Sequence, residues 1–240
     1  MFSAELRRRL SEISRGKSGV LRQVPEPREC ADYLSNLEFN GTVQRNESGT
    51  YLVSEYSMTD LLNDASAIIE RFSQVTKTAG YDPSKLLFLD LETCGLANVP
   101  LFLIGTMRFK KNDFEIRQLF ARDYVEEKNV LWQVREDMNS IDCLVTFNGK
   151  AFDLPFINDR MIYHRLEFSP PRVHNDLIYG ARRKWRRTLP NCRLQTLETH
   201  ICRRTRLGDV PGSKIPLLTV FKHNVMDLMT MAELLPEVVK

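Results

Sequence analysis

Residues 85–95, KLLFLDLETCG, constrain the fold of this chain more than any other stretch. Leu86, Leu87, Phe88 and Leu89 form an apolar run between Pro83 and Gly95, the pattern of a short buried strand. Two acids, Asp90 and Glu92, stand at its end. Side chains two apart on a strand share a face, so the two carboxylates point the same way about 7 Å apart. Like charges beside an apolar strand are unfavourable unless water or a cation compensates them. The pair marks either a solvated strand end or half of a site for a hard divalent ion, Mg2+ or Mn2+, which takes carboxylate oxygens.

Other segments supply the rest of an α/β architecture. Residues 3–15 carry Leu6, Leu10 and Ile13 at helical spacing beside Arg7, Arg8 and Arg9, a short arm followed by a linker from Gly16 to Pro27. GTVQRNESGTYLVSE (41–55) reads as two strands joined by a turn at Asn46–Gly49. Ser57–Thr78 then reads as one helix. Together these make residues 1–80 an N-terminal arm, hairpin and cap. From 81 to 240 follow the strand at 86–92, strands at 100–110 and 113–120 across a tight turn, a helix at 126–141 and a buried strand at 144–147. Helices at 153–165, 177–187, 194–205 and 217–235 complete the chain. The order predicts a mixed β-sheet with helices on its faces.

Two further clusters turn the acidic pair into a constellation. FNGKAFDLPF (147–156) puts Asn148, Gly149, Lys150 and Asp153 in a strand-to-helix loop, where α/β folds place ligand sites. Asp153 is either a third metal ligand or the N-cap of the next helix. Asn148 can orient that acid or touch substrate, and Lys150 can meet phosphate. HNVMD (223–227) sets His223 and Asp227 one helical turn apart on a shared face. Alone, that pair reads as a surface ion pair. Beside three other acids, Asp227 becomes a fourth ligand and His223, titrating near neutrality, a base for an attacking water. Four carboxylates suit a pair of divalent ions clamping a phosphoryl group.

Charge supports a polyanionic substrate. The chain of 240 residues has a net charge of +3, yet Arg165–Lys214 holds twelve Lys/Arg against four Asp/Glu, a local +8 that leaves −5 elsewhere. Arg182, Arg183, Lys184, Arg186 and Arg187 crowd around Trp185, which can stack on a base or anchor its helix. GDVPG (208–212) lacks the GK[ST] of a phosphate-binding loop, and no HExxH occurs, which disfavours a zinc peptidase. Five scattered cysteines without CxxC spacing fit a reducing, cytoplasmic setting. No secretion signal or membrane-length apolar run is present.

DxE at Asp90 and Glu92, FNGKxFD at 147–153 and HN-x-x-D at 223–227 occur in order, with NDLIYGARRKWR, CRLQTLE and RLGDVPGSKIP between the last two. With them the chain resembles the DEDD superfamily of 3′–5′ exonucleases on the ribonuclease H-like fold, and within it the YprB-like branch. The resemblance implies two-metal hydrolysis of phosphodiesters from a 3′ end, with Mg2+ or Mn2+ as the ions. It makes Asp90, Glu92, Asp153 and Asp227 the ligands and His223 the base or its positioner. Asp176 becomes a supporting acid or a helix cap. Thr93, Leu96, Asn148, Lys150, Arg182, Arg183 and Arg186 are then expected on the substrate side, with Leu96 against the terminal base. Single-stranded nucleic acid or a 3′ end is the implied partner, DNA slightly ahead of RNA. A structure-selective endonuclease and a non-catalytic nucleic-acid-binding protein are the alternatives. Only six residues separate Pro216 from His223, where relatives of the branch carry a helix.

Overall fold

The computed structural model describes residues 28–29, 34, 37, 39–93, 95, 99–205 and 217–239. The helix expected at 3–15, the linker behind it, Leu96 and the 207–216 segment lie outside the described residues.

The centre is a seven-stranded mixed sheet. In chain order its strands are β1 (Thr42–Asn46), β2 (Gly49–Ser57), β3 (Leu86–Thr93), β4 (Leu101–Lys110), β5 (Asp113–Phe120), β6 (Cys143–Thr146) and β7 (Val173–Asp176). Their spatial order is β1-β2-β5-β4-β3-β6-β7. The β1–β2, β2–β5, β5–β4 and β4–β3 pairs are antiparallel, and β3–β6 and β6–β7 are parallel. The hairpin read from the sequence as part of a cap thus lengthens the central sheet. A two-residue turn joins β4 to β5, with Lys111 and Asn112 both at positive φ (51° and 63°). Such turns match the twist of the strands they connect.

Helices cover both faces. They are α1 (Met58–Leu61), α2 (Ala65–Thr78), α3 (Glu127–Asn139), α4 (Asp153–Tyr163), α5 (Leu177–Trp185), α6 (Leu194–Leu197) and α7 (Leu217–Val238). On one face Leu86, Phe88, Met107, Phe114 and Ile116 pack against Phe72 of α2, Leu177 and Ala181 of α5, and Val225, Leu228 and Met229 of α7. On the other, Leu87, Leu89, Leu91, Ile104 and Leu119 pack against Val130, Leu131 and Val134 of α3 and Ile157 and Met161 of α4. A strand buried on both sides leaves no room for polar side chains, which is why β3 is apolar up to Asp90. The single helix expected over Ser57–Thr78 is two, because Leu62 turns extended (φ −128°, ψ 127°) between α1 and α2. The helix expected at 194–205 ends sooner: α6 passes into one π-helical turn at Glu198–Cys202, and Arg203 then adopts a left-handed conformation.

A buried ion cluster fastens the second face. Glu127, 1% exposed, accepts hydrogen bonds from Arg160 (2.7 and 2.6 Å) and from the backbone of Leu101 (3.0 Å), and His164 lies 2.8 Å away. These partners hold the Glu127 carboxyl below its ordinary range against its burial. Glu127→Gln leaves Arg160 without its counter-charge and should lower stability by about 2 kcal/mol. Urea unfolding is the measurement. An unchanged midpoint would show that the cluster contributes no net stability.

Candidate active site

Strand pairing builds the floor of the site. Asp90 sits opposite Gly105 and Glu92 opposite Leu103, and Gly105 in turn opposes Gln118. Register therefore places Asp90, Glu92, Gly105 and Gln118 on one sheet face, the face that α7 covers.

Asparagine 224 links that helix to the acids. It is fully buried, its Nδ2 donates to Asp90 Oδ2 at 2.8 Å and to the Asp90 carbonyl at 3.2 Å, and its Oδ1 accepts from Gln118 Nε2 at 3.0 Å. Gln118 Nε2 also donates to the Phe221 carbonyl at 2.8 Å. Two buried amides thus set where Asp90 points and where α7 lies. Gly105 makes room for them: a Cβ there would stand 2.6 Å from Asn224 Cγ. The role of Gln118 escaped the sequence reading, although an interior strand glycine is a known sign of close approach.

α7 also carries His223 and Asp227, one turn apart and partly buried. Asp153 arrives from the opposite side. It is the first residue of α4, not its N-cap, which is Phe152. It is 6% exposed, and its carboxylate accepts a hydrogen bond from the backbone N–H of Leu91, between Asp90 and Glu92.

The electrostatics record how close these acids are. Burial and the charges of Asp227, Asp153 and Glu92 push the Asp90 carboxyl well above its ordinary range, against the hydrogen bond from Asn224. Burial raises the Asp153 carboxyl to about 7, with Asp176 and Asp227 adding to the rise. Among the described residues no three His, Cys, Asp or Glu side chains converge as a ready-made ligand set. The fit to a hard dication rests on donor chemistry and charge: four carboxylates within electrostatic reach, Asp153 buried and the other three half-buried, are too many negative charges to gather without a counter-ion.

A carboxyl whose folded pKa lies above its unfolded value binds its proton more tightly when folded. Between about pH 4 and 7, Asp153 is protonated in the folded chain and ionised in the unfolded one, so stability falls as pH rises through that window. Asp90 adds in the same direction. In EDTA the melting temperature should drop by several degrees from pH 5 to pH 7.5, with a shallower slope in Asp153→Asn. A melting temperature that rises over that range would contradict this electrostatic account.

The loop behind Asp153 is shaped by its sequence. Asn148 takes a left-handed conformation (φ 67°), and a Cβ at Gly149 would lie 2.5 Å from the Thr146 Cβ. Asp176, 4% exposed, clamps the loop: its carboxylate accepts from Asn148 N at 2.7 Å and Lys150 N at 3.0 Å while capping α5 through Ile178 N at 3.2 Å. It acts as the helix cap that was one of its two expected roles. Asn148 and Lys150 are exposed, and Lys150 Nζ lies 5.8 Å from the Tyr179 ring centroid. Thr93 Oγ1 donates to the Gly95 carbonyl at 2.6 Å, which turns the chain at the end of β3. Arg182 and Arg183 on α5 and Arg186 at its C-cap line a separate groove, and Trp185 is buried beneath it as the anchor. No helix among the described residues is long and apolar enough to cross a membrane.

A family model described as RNase_H superfamily matches residues 87–219. "Uncharacterized protein YprB" of Bacillus subtilis (strain 168) is 32% identical over 205 residues, covering 78% of this chain and 48% of that protein. The chain thus spans about half the length of the curated relative it matches. The family B DNA polymerase from the archaeon Pyrobaculum calidifontis superposes with a TM-score of 0.54 at 15% identity, over 66% of this chain and 25% of that one. That is a likeness of fold. NrnC of Brucella melitensis with bound Mg2+ gives a TM-score of 0.39 at 15% identity, over 65% of this chain and 74% of that one, too slight to bear on the site.

Proposed function

The chain belongs to the RNase H superfamily, and we propose that it is a metal-dependent 3′–5′ exonuclease acting on single-stranded nucleic acid, DNA slightly favoured. One observation carries the reading: Asp90, half-buried, is held by Asn224 where its charge meets those of Asp227, Asp153 and Glu92. Asp90, Glu92, Asp153 and Asp227 would hold two ions of Mg2+ or Mn2+. When bound, such ions offset the charge of the scissile phosphate and of the attacking and leaving oxygens.

The protein's own groups do the rest. Asn224 and Gln118 keep Asp90 in one orientation, so the site is arranged before substrate arrives. His223, on the same helix as Asp227, takes the proton from the attacking water or orients that water. Asn148 and Lys150, exposed beside Asp153, meet the sugar–phosphate backbone. The sequence offers no module for reading bases in a duplex groove, which favours sequence-independent action on ends.

The test is direct. End-labelled single-stranded DNA and RNA are incubated with the protein in Mg2+ or Mn2+, beside a circular single strand. Shortening from the 3′ end with the circle left intact is expected. Cleavage of the circle would make the protein an endonuclease. If no polymer is cut and calorimetry detects no divalent-ion binding, the fold serves nucleic-acid binding without catalysis.

A further inference from the structure

The outward face of α5 lies next to the loop that precedes Asp153, where Lys150 Nζ is 5.8 Å from the Tyr179 ring centroid. Tyr179, Arg182 and Arg183 stand at i, i+3 and i+4 on α5, and Arg186, the C-cap in right-handed helical conformation, continues the stripe at i+7. Leu177, Ile178, Gly180, Ala181 and Trp185 form the buried side. All four stripe residues are exposed, and they line a groove of about 500 Å3. Among the described residues none of the three arginines forms an ion pair, whereas Lys184 on the same helix is committed to Glu237 at 2.6 Å. The helix thus divides its cations: Lys184 fastens it to the end of α7, and the arginines face solvent around a tyrosine.

Asp176 ties this stripe to the active-site loop. One carboxylate receives the N–H groups of Asn148 and Lys150 and caps the helix through Ile178. Loop and helix start are therefore fixed to each other, and Lys150 is held over the Tyr179 ring. Positive charge runs from Lys150, in the loop before Asp153, to Arg186 at the C-cap of α5, roughly 10 Å beyond Tyr179 at 1.5 Å per residue.

We propose that this stripe is the track for the uncleaved part of a single-stranded nucleic acid. Tyr179 stacks on a base, and Lys150, Arg182, Arg183 and Arg186 hold phosphates along a few nucleotides. The inference rests on the exonuclease reading for its direction, the track lying upstream of the cleaved end. An aromatic ring set among guanidinium groups is the chemistry of a polymer that carries both flat bases and phosphates. An acidic peptide offers carboxylates alone and leaves the ring without a partner.

Binding in EDTA separates the track from catalysis. Fluorescence anisotropy with fluorescein-labelled dT12 compares the full chain, Tyr179→Ala, Tyr179→Phe and the triple variant Arg182→Ala/Arg183→Ala/Arg186→Ala. The triple variant should bind at least tenfold more weakly, with a salt slope smaller by about 2, near 0.7 for each lost phosphate contact on a single strand. Tyr179→Ala should lose about fivefold at unchanged salt slope, and Tyr179→Phe should restore it, because stacking needs the ring and not the hydroxyl. In Mg2+ the triple variant should raise KM for dT12 with little change in kcat. Wild-type affinity and salt slope in the triple variant, or displacement of dT12 by poly-glutamate as readily as by unlabelled dT12, would overturn the track. If the stripe variants lose binding while the wild type shortens no polymer, the track stands and the exonuclease reading falls. If the wild type shortens dT12 and the triple variant binds and cuts it equally well, the track falls and the exonuclease reading stands.

Discussion

Asp90→Asn should lower nucleotide release by about a thousandfold or more, an increase of roughly 4 kcal/mol in the barrier, while making the metal-free protein more stable. The two outcomes share a cause. Asp90 is half-buried and feels Asp227, Asp153 and Glu92, so its ionised form works against folding whenever no cation is bound. An amide in its place carries no charge, and its carbonyl oxygen can still accept from Asn224 Nδ2, which now meets Asp90 Oδ2 at 2.8 Å. The fold survives. What disappears is one of the four negative charges that would draw a divalent ion to this floor. Thermal melts with and without Mn2+ should then show a raised baseline and a smaller shift on adding metal, since a ligand stabilises only in proportion to its affinity for the folded state. Loss of both activity and stability would instead make Asp90 a structural residue. Full activity in Asp90→Asn would end the two-metal reading.

The extent to which the sequence disclosed this site follows from the range of the interactions involved. Apolar runs and helical periodicity are local, and they located β3, β4, β5, α3, α4 and α7 to within a few residues. β7 was missed because VHND is short and largely polar; its place comes from parallel pairing with β6, between Cys143 and Val173 and between Thr146 and Asp176. The break between α1 and α2 was hidden for a different reason. Met58, Leu62, Ala65 and Phe72 all enter the same core, so the apolar spacing continues across a backbone that does not. The acids themselves were legible as residue types beside a strand, a loop and a helix. Their nearness depends on sheet order, which no local pattern specifies. The same holds for Gln118 and Gly105, whose meaning lies in the register that sets them beside Asp90.

Gly105→Ala should be among the most damaging single methyl additions in the chain. The new Cβ would lie 2.6 Å from both Asn224 Cγ and Asn224 Nδ2, well inside contact distance, and Asn224 has no solvent to swing into. Its amide is held on both sides, donating to Asp90 and accepting from Gln118, so either both hydrogen bonds break or α7 moves off the sheet. Overpacking of this kind costs about 1–3 kcal/mol, and stranding buried amide groups adds about 1–3 more. A total loss of roughly 4 kcal/mol is expected in chemical unfolding. Activity should fall in the molecules that remain folded, because the same displacement carries His223 and Asp227 away from β3. Asn224→Ala separates the two effects. In the double variant the methyl group has room, so Asn224→Ala should recover part of the stability lost in Gly105→Ala while leaving Asp90 without its donor and the proposed cleavage slow. If Gly105→Ala is as stable and as active as the wild type, the Asn224–Gln118 relay does not position Asp90, and α7 is seated by its apolar face alone.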